Sequence, residues 1–306
     1  MNSLSIIIPC YNEEAVLEMT YDVLNSELKK LNREYEILFV NDGSKDRTFD
    51  IIKDFSNRDT HVGGISLSRN FGKEGVLKAG LAHAKGDLIV VMDADLQDPP
   101  SLLSEMIRLI EEDGYDQVGT YRSSRKSQGI ATRLFSETYY RTFNFFSDVK
   151  VPINEREYRM MTRKVVNTIL LFSEQNRYIK SLWSWVGFKT THIGYEDIDR
   201  AAGKTKYNIQ NKLKLAKHNI LASSVKPLKF VGGFTMVFGM LLMVYTIYLV
   251  ITAKLDANLF WSWMMWVQFL MLSVIADYVG KTYLESKHRP NYIITSNIES
   301  GMKVDK

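Results

Sequence analysis

One stretch of the sequence indicates the fold class most clearly: Asp87-Leu88-Ile89-Val90-Val91-Met92-Asp93-Ala94-Asp95-Leu96-Gln97-Asp98-Pro99-Pro100. Its apolar part, residues 88–92, has the composition of a short strand that is buried on both faces. The two prolines suit the first turn of a helix. A buried strand followed by a helix is typical of an α/β fold with a mostly parallel sheet, which binds its ligands at the carboxyl ends of the strands.

Asp93 and Asp95 follow this strand directly, so they are predicted to lie at the ligand-binding edge of the sheet. Two neighbouring carboxylates repel each other unless a cation lies between them. Hard oxygen ligands of this kind suit Mg²⁺ or Mn²⁺ bridging to a substrate phosphate. The pattern therefore predicts a divalent metal site, and aspartates that only cap a loop are the alternative.

Strand and helix alternate regularly over the first 125 or so residues. Asn12 and Asp46 are predicted to start the first two helices. Residues 128–225 are predicted to be mainly helical, with most of their aromatic side chains in a core. The predicted strands are residues 5–9, 36–40, 62–67, 88–92 and 116–120.

Residues that suit nucleotide binding lie at the ends of the first four predicted strands, and a parallel sheet brings these strand ends to one crevice. They are Pro9, Tyr11 and Glu13 after the first strand, Asp42 after the second, Arg69 and Lys73 after the third, and Asp93, Asp95 and Gln97 after the fourth. A ring for stacking, carboxylates for base or ribose groups and cations for phosphates suit a nucleotide. The sequence has no Gly-x-Gly-x-x-Gly and no Walker lysine loop, which argues against dinucleotide binding and P-loop hydrolysis.

The 306 residues carry a modest net charge of +4, but its distribution is uneven. Every charged side chain between residues 200 and 229 is basic, which is typical of a segment that faces phosphates or a membrane surface. The single cysteine, Cys10, cannot form an intramolecular disulfide and fits a reducing compartment. The N-terminus shows no signal-peptide pattern.

Two apolar segments, residues 230–252 and 259–279, are each long enough to cross a bilayer as a helix. The loop between them is short, which predicts an antiparallel hairpin. Basic residues flank both outer ends, so the positive-inside rule places both termini in the cytoplasm. Gly232, Gly233 and Gly239 offer small contact positions for a homo-oligomer. A buried helical pair in a soluble protein is the alternative.

Four motifs in this order resemble the family 2 glycosyltransferases, and more narrowly the polyprenyl-phosphate glycosyltransferases. They are Ile-Pro-Cys-Tyr-Asn-Glu-Glu at residues 8–14, Val-Asn-Asp-Gly-Ser-Lys-Asp-Arg-Thr at 40–48, Ser-Arg-Asn-Phe-Gly-Lys-Glu at 68–74 and Asp-Ala-Asp-Leu-Gln-Asp-Pro-Pro at 93–100. The resemblance continues through Trp-Val-Gly-Phe at 185–188, Ala-Gly-Lys-Thr-Lys-Tyr at 202–207 and Lys-His-Arg-Pro-Asn-Tyr at 287–292.

The resemblance implies a membrane enzyme that moves glucose or another hexose from a UDP-sugar to undecaprenyl or another polyprenyl phosphate, with inversion, at the cytoplasmic face. It implies a GT-A catalytic domain at residues 1–165, acceptor-side and membrane-interface helices at 166–228, two transmembrane helices at 229–281 and a cytoplasmic tail at 282–306. Its expected partners are the donor, the lipid acceptor and membrane lipid, and no nucleic acid.

The resemblance also implies roles for individual residues. Pro9, Tyr11, Glu13, Asp42 and Lys73 would bind the nucleotide, while Asp93 and Asp95 would hold Mg²⁺ or Mn²⁺ and, with Gln97, the donor. Asp95, Glu157 and Arg122 would act in catalysis, and Arg200 and Lys206 would hold phosphates.

Several positions depart from the family pattern. Relatives usually carry Gly-Asp-Phe-Arg-Leu, with the aspartate proposed as a base, where this chain has Arg156-Glu157-Tyr158-Arg159-Met160. A phosphate monoester is already ionised at neutral pH, so a base is not strictly needed. Asp197, Ser181 and Asn219 also differ from the usual residues. A transferase acting directly on a glycan or protein, and a membrane-anchored sugar-nucleotide binding protein, are the alternatives.

Overall fold

The computed structural model describes residues 3–124, 138, 141–145, 150, 152, 155–174, 178–196, 226–252 and 257–302. The strands are β1 (Ser3–Cys10), β2 (Glu34–Asn41), β3 (Val62–Leu67), β4 (Leu88–Val91), β5 (Gln117–Ser124), β6 (Glu155–Thr162), β7 (Thr190–Glu196) and β8 (Ile294–Ile298). The helices are α1 (Leu17–Lys30), α2 (Thr48–Arg58), α3 (Lys73–His83), α4 (Leu103–Glu111), α5 (Arg163–Leu170), α6 (Ile179–Trp185), α7 (Lys226–Thr252) and α8 (Ala257–Ser286).

All eight described strands form one sheet in the order β7-β5-β6-β4-β1-β2-β3-β8. Its centre, from β4 through β1 and β2 to β3, is parallel, and β7 is parallel to β5. The pairings of β6 with β4 and β5, and of β8 with β3, are antiparallel. The predicted α/β class with a mostly parallel sheet is confirmed.

Helices cover both faces of the sheet. Successive side chains of a strand point to opposite faces, and the central strands carry apolar side chains on both. Ile6 and Ile8 of β1 pack into a core with α1, α2 and α4, whereas Ile7 packs into a second core with α3, α5 and α6. Both faces of β1 and β4 are therefore buried, as the apolar composition of residues 88–92 predicts. Pro100 opens a short 3₁₀ turn that leads into α4.

The structure adds two strands, β6 and β7, to the range 128–225, which was predicted to be mainly helical. The sequence of β6, Glu-Arg-Glu-Tyr-Arg-Met-Met-Thr, does not alternate between polar and apolar residues. Its charged side chains pair with one another and with groups on neighbouring elements, which local composition does not reveal. β8, with the sequence Ile-Thr-Ser-Asn-Ile, lies in the segment after the apolar helices, which was predicted only as a cytoplasmic tail.

Asn12 does not cap the first helix, which begins only at Leu17. Its backbone has a φ of 54°, its N–H donates to Ser44 Oγ and its Oδ1 accepts from the N–H of Lys45. Asp46 lies two residues before α2 and accepts a hydrogen bond from the N–H of Thr48, so the helix begins two residues later than predicted.

Two long apolar helices, α7 and α8, contact each other and differ in how completely they meet the requirements for a membrane span. Trp263–Ser286 of α8 is long and apolar enough to cross a bilayer, with a mean hydropathy of 1.3. The described apolar part of α7, Val237–Leu249, is shorter. One candidate span is thus present in the described residues, and the two-helix transmembrane hairpin stays a prediction.

After α8 the chain returns to the eight-stranded sheet. Asn291 accepts a hydrogen bond from Lys78 of α3 at 2.7 Å and donates one to the carbonyl of Glu174 at 3.2 Å. β8 then pairs with β3, and Ser300 donates to the carboxylate of the buried Glu36. The segment that follows the apolar helices is therefore part of the sheet's edge.

Candidate functional site

The site lies where β4 ends. The last ladder hydrogen bond of this strand runs from the N–H of Met92 to the carbonyl of Ile7, after which the chain turns out of the sheet. The N–H of Asp93 donates to the carboxylate of Asp98, and Leu96 adopts a φ of 56° within the turn. This turn directs the Asp93 side chain into the crevice beyond the strand ends.

Asp93 is surrounded by charged groups from two other elements. Lys73 Nζ, at the start of α3, lies 2.6 Å from Asp93 Oδ1 and 2.5 Å from Glu157 Oε2. Arg156 of β6 lies 3.8 Å from Asp93 Oδ2. One lysine thus bridges two carboxylates, and the guanidinium approaches the same aspartate from another side.

The register of β6 explains why Arg156 and Glu157 reach this point. β6 runs antiparallel to β4 with Val91 opposite Arg159, so the first residues of β6 extend past the end of β4. Neighbouring residues of a strand point to opposite faces. Glu157 therefore meets Lys73 on the α3 side, while Arg156 meets Asp98 on the α4 side.

The electrostatics of Asp93 follow from these contacts. Burial raises its pKa, but the positive charges of Lys73 and Arg156 outweigh that effect and lower the pKa to about 2. For Lys73, burial lowers the pKa, and the carboxylates of Asp93 and Glu157 reverse this and raise it. At neutral pH the Asp93 carboxyl group and the Lys73 amine are therefore both charged.

Asp98 anchors the α4 side of the site and is fully buried. It accepts hydrogen bonds from Tyr195 of β7 at 2.8 Å and from Arg156 at 3.3 Å. Burial raises the pKa of this carboxyl group, and the guanidinium of Arg156 opposes the rise. Asp98 thus ties the turn after β4 to both β6 and β7.

Gln97 and Arg122 form the neighbouring wall. Arg122 donates to Gln97 Oε1 at 3.1 Å, and the N–H of Gln97 donates to Asp95 Oδ1 at 3.2 Å. Arg122 lies on β5, which pairs with β6. Hydrogen bonds therefore link Asp95, Gln97 and Arg122, while Lys73 links Asp93 to Glu157; the catalytic and donor-binding roles of these residues stay predictions.

The ends of β1 and β2 form a second part of the site, built by hydrogen bonds between two loops. Side-chain oxygens of the second loop accept backbone N–H groups of the first: Ser44 Oγ from Asn12 at 2.9 Å, Thr48 Oγ1 from Glu13 at 2.9 Å and Asp46 Oδ2 from Glu14 at 3.3 Å. The half-buried Pro9, Tyr11 and Glu13 are held at this edge. Their role in nucleotide binding stays a prediction.

Asp42 is buried and has its carboxylate engaged within the protein. It accepts the N–H groups of Phe71 at 2.7 Å and Gly72 at 3.0 Å, which fixes the loop leading to Lys73. Burial raises its pKa despite these hydrogen bonds. Asp42 therefore positions Lys73 in this structure, and direct contact with a nucleoside stays a prediction.

Arg200 and Lys206 lie outside the described residues. Asp98, Arg156 and Tyr195 were missed as site residues, although Asp98 lies in the decisive stretch and Arg156 replaces a glycine of the family pattern. Lys180 was missed too: it lies almost buried on α6, donates to the carbonyl of Glu155 and helps to lower the pKa of Asp93.

The donor set fits a divalent metal only in part. In the described segments, no group of three or more His, Cys, Asp or Glu side chains is assembled for a metal ion. Asp93 and Asp95 supply carboxylate oxygens, and Mg²⁺ in proteins is commonly held by one or two carboxylates together with substrate phosphates. The residues therefore fit a metal that binds together with a diphosphate.

Comparisons with known proteins agree with this geometry. The family model described as "Glycosyl transferase family 2" matches residues 5–170. The uncharacterized glycosyltransferase YkcC of Bacillus subtilis is 39% identical and covers 95% of this chain and 92% of its own length. The bactoprenol glucosyl transferase of Shigella phage SfV is 35% identical, covering 95% and 97%.

A solved structure shares the fold. Mannosyl-3-phosphoglycerate synthase from Rubrobacter xylanophilus aligns with a TM-score of 0.51 over 72% of each chain, at 16% identity. At this identity the likeness concerns the fold alone, and it supports the GT-A architecture. Together with the family match over more than half of the chain, these findings show that the chain is a glycosyltransferase and belongs to glycosyl transferase family 2.

Proposed function

We propose that this enzyme transfers a hexose, glucose in the first instance, from a UDP-sugar to undecaprenyl or another polyprenyl phosphate, with inversion at the anomeric carbon. Relatives about 35% identical over nearly the whole chain are named bactoprenol glucosyl transferases, and bactoprenol is a polyprenol. The observation that carries the proposal is the cluster of Lys73, Asp93, Arg156 and Glu157 at the end of β4.

The chemistry requires that a phosphate oxygen of the acceptor attacks the anomeric carbon while the bond from that carbon to the UDP oxygen breaks. The bonding electron pair leaves with the diphosphate, so negative charge grows on the leaving group. Mg²⁺ or Mn²⁺, held by Asp93 and Asp95 together with the diphosphate, would supply positive charge there.

Cationic side chains of the protein are also proposed to stabilise the negative charge that grows on the leaving diphosphate. Lys73 and Arg156 already lie within 4 Å of Asp93, at the place where the diphosphate is proposed to bind. Arg122, held on Gln97, is proposed to contact a phosphate of donor or acceptor. Arg200 and Lys206 are proposed as further phosphate ligands. Positioned charges stabilise a developing charge more effectively than water, because they need not reorganise.

Glu157 is proposed to orient Lys73 rather than to act as an obligatory base. Its carboxylate lies 2.5 Å from Lys73 Nζ and thereby fixes the ammonium group between two carboxylates. The acceptor phosphate is already ionised at neutral pH and does not need to lose a proton before it attacks.

The proposed location is the cytoplasmic membrane, with α7 and α8 as two spans and the catalytic domain and both termini in the cytoplasm. Support comes from the candidate span at Trp263–Ser286 and from the basic residues that flank the apolar segments. Small residues of α7, such as Gly233 and Gly239, are proposed contacts in a homo-oligomer.

The function is tested with the full chain in membranes. Incubation with labelled UDP-glucose, Mg²⁺ and undecaprenyl phosphate is expected to give a chloroform-soluble labelled product, and the variant Asp95→Asn is expected to give almost none. Omitting the lipid phosphate and offering free oligosaccharides tests the transferase alternative. Tight UDP binding without transfer from any common UDP-sugar would instead favour a binding protein.

A further inference from the structure

The guanidinium of Arg156 lies between the two aspartates at the ends of the turn after β4. Its Nη2 atom is 3.3 Å from Asp98 Oδ1 and 3.8 Å from Asp93 Oδ2, and its Nε atom is 3.4 Å from the same Asp98 oxygen. The distances to Asp98 allow hydrogen bonds, whereas 3.8 Å is too long for one. Arg156 is therefore anchored on Asp98 and acts on Asp93 through its charge.

Asp98 is a firm anchor, because it is fully buried and has two further hydrogen-bond partners. It accepts from the hydroxyl of Tyr195 at 2.8 Å and from the N–H of Asp93 at 3.2 Å. Asp93 Oδ1 is in turn paired with Lys73 at 2.6 Å. The two carboxylate oxygens of Asp93 thus face two different cations, one from α3 and one from β6.

This arrangement opposes a divalent metal that arrives alone. An ion held by Asp93 would lie close to both cations, and like charges a few ångströms apart repel each other even at an effective dielectric constant of ~20. A metal that arrives with a diphosphate meets a different balance of charge, because the phosphate groups are negative. The positive charges around Asp93 therefore favour the metal and diphosphate together over the metal alone.

We infer that Arg156 makes metal binding depend on the donor. Without a diphosphate, its charge weakens the binding of Mg²⁺ or Mn²⁺ at Asp93. With a diphosphate, it pairs with a phosphate group and no longer repels the metal. The same charge strengthens the binding of UDP in the absence of metal, because guanidinium and phosphate form strong charge-assisted hydrogen bonds. The inference rests on the proposed function, in which Asp93 holds the metal together with the diphosphate of UDP.

The experiment measures two dissociation constants with the full chain in detergent micelles. One is that of Mn²⁺, without and with saturating UDP, from the electron paramagnetic resonance signal of the free ion. The other is that of UDP in the presence of EDTA, from titration calorimetry. Arg156→Gln removes the charge at this position, and Arg156→Lys keeps it.

Arg58→Gln is the matched control for the loss of one guanidinium group. Arg58 ends α2, four residues before the parallel strand β3 begins at Val62, so it lies at the edge of the sheet opposite the strand ends that form the site. Its side chain is 49% exposed and pairs with Glu18 at 2.7 Å. Both dissociation constants of this variant are expected to match those of the wild type.

Arg156→Gln is expected to shift the two affinities in opposite directions. Mn²⁺ without UDP should bind about tenfold more tightly and UDP without metal about tenfold more weakly, within the ~5–150-fold range usual for coupling between two sites. The factor by which UDP tightens the binding of Mn²⁺ should fall accordingly. Arg156→Lys should restore most of both changes. Opposite shifts separate the loss of a charge from the loss of the fold, because an unfolded variant binds both ligands more weakly.

An unchanged affinity of Arg156→Gln for Mn²⁺ would overturn the inference. Weaker binding of both ligands by Arg156→Gln and Arg156→Lys alike would also overturn it, because Arg156 would then serve only to hold the turn through Asp98. The wild type gives a test that needs no variant, since equal Mn²⁺ affinity with and without UDP is a third contradicting result.

The wild type also separates this inference from the proposed function. If it binds neither UDP nor Mn²⁺, the proposed nucleotide site is wrong and the inference fails with it. If it binds both with the expected dependence on Arg156 but transfers no sugar to lipid phosphate, the inference stands and the proposed acceptor is wrong.

Discussion

The two parts of the site are built from different interactions. In the part formed by the loops after β1 and β2, side-chain oxygens accept backbone N–H groups, as Thr48 does from Glu13 and Ser44 from Asn12. In the part formed around Asp93, full charges pair with one another, with Lys73 between two carboxylates. The first is called the backbone-bonded part below, and the second the ion-paired part.

Because the two parts are held by different interactions, we expect them to respond differently when a ligand binds. Hydrogen bonds to backbone amides fix the shape of the backbone-bonded part before any ligand binds. In the ion-paired part the cations already neutralise the carboxylates, so an arriving diphosphate and metal must exchange some of these partners. We therefore expect substitutions in the ion-paired part to change turnover, and substitutions in the backbone-bonded part to change stability and donor affinity.

Asp93→Asn is expected to have the largest effect. It removes the charge that pairs with Lys73 and Arg156 and that is proposed to hold the metal. The turnover number should fall by ~10²–10³-fold, the loss typical of removing one well-placed electrostatic group. Measurement of lipid-linked product formation checks this. Asp50→Asn, whose partner Lys53 is on the surface, is the matched control and should keep the wild-type rate. An Asp93→Asn enzyme of normal turnover would contradict the assignment.

Glu157→Gln is expected to lower turnover by about tenfold, less than the ~10²–10⁴-fold typical of losing a general base. The amide keeps the length of the side chain but loses the ion pair with Lys73, which then has Asp93 as its remaining described carboxylate partner. Glu157→Asp keeps the charge and is the matched control. A loss of more than about a thousandfold in Glu157→Gln, with the control active, would show that Glu157 is a required base.

Thr48→Val probes the backbone-bonded part and should reduce stability by ~1–3 kcal/mol, because the N–H of Glu13 loses its acceptor at a buried position. The Michaelis constant for the donor should rise while the turnover number stays close to that of the wild type. Thermal unfolding and kinetics of the full chain check both effects. Thr168→Val on α5, whose hydroxyl donates within its own helix, is the control. Equal unfolding temperatures for the two variants would count against the prediction.

The smallest expected effect concerns acid stability. Burial raises the pKa of Asp46, but hydrogen bonds from the Thr48 hydroxyl and from the N–H groups of Thr48 and Glu14 outweigh this and lower it. The carboxylate therefore stabilises the fold above the ordinary aspartate pKa of ~3.9, and this contribution is lost as the pH falls through the lower pKa of the folded state. Asp46→Asn should show a weaker fall in unfolding temperature on acidification. Parallel curves for variant and wild type would contradict the prediction.

The sequence predicts the centre of the sheet well because β1 to β4 are buried on both faces, and such strands must be apolar. The strand ends were found for the same reason: where an apolar run stops, polar residues mark the edge of the sheet. The sequence therefore predicts Asp93, Asp95 and Lys73 at one crevice, and Lys73 Nζ lies 2.6 Å from Asp93 Oδ1.

β6 could not be found in this way, because the information lies in its partners. Arg159 is buried against Glu155 and Gln117, and its guanidinium stacks on Trp183. The many charged residues of β6 are typical of a surface segment. Pairing with β4 and β5 nevertheless places Glu155 and Arg159 in the buried interior. Arg156 was missed for the same reason: its distance to Asp93 depends on the antiparallel register of β6.

The return of the chain to β3 has a consequence for biosynthesis. β8 lies after α8 in sequence, so the ribosome makes both long apolar helices before it makes the strand that covers the outer edge of β3. Until then β3 presents unpaired backbone groups, which are prone to pair with other chains. β8 can therefore pair with β3 only after both long apolar helices have been synthesised.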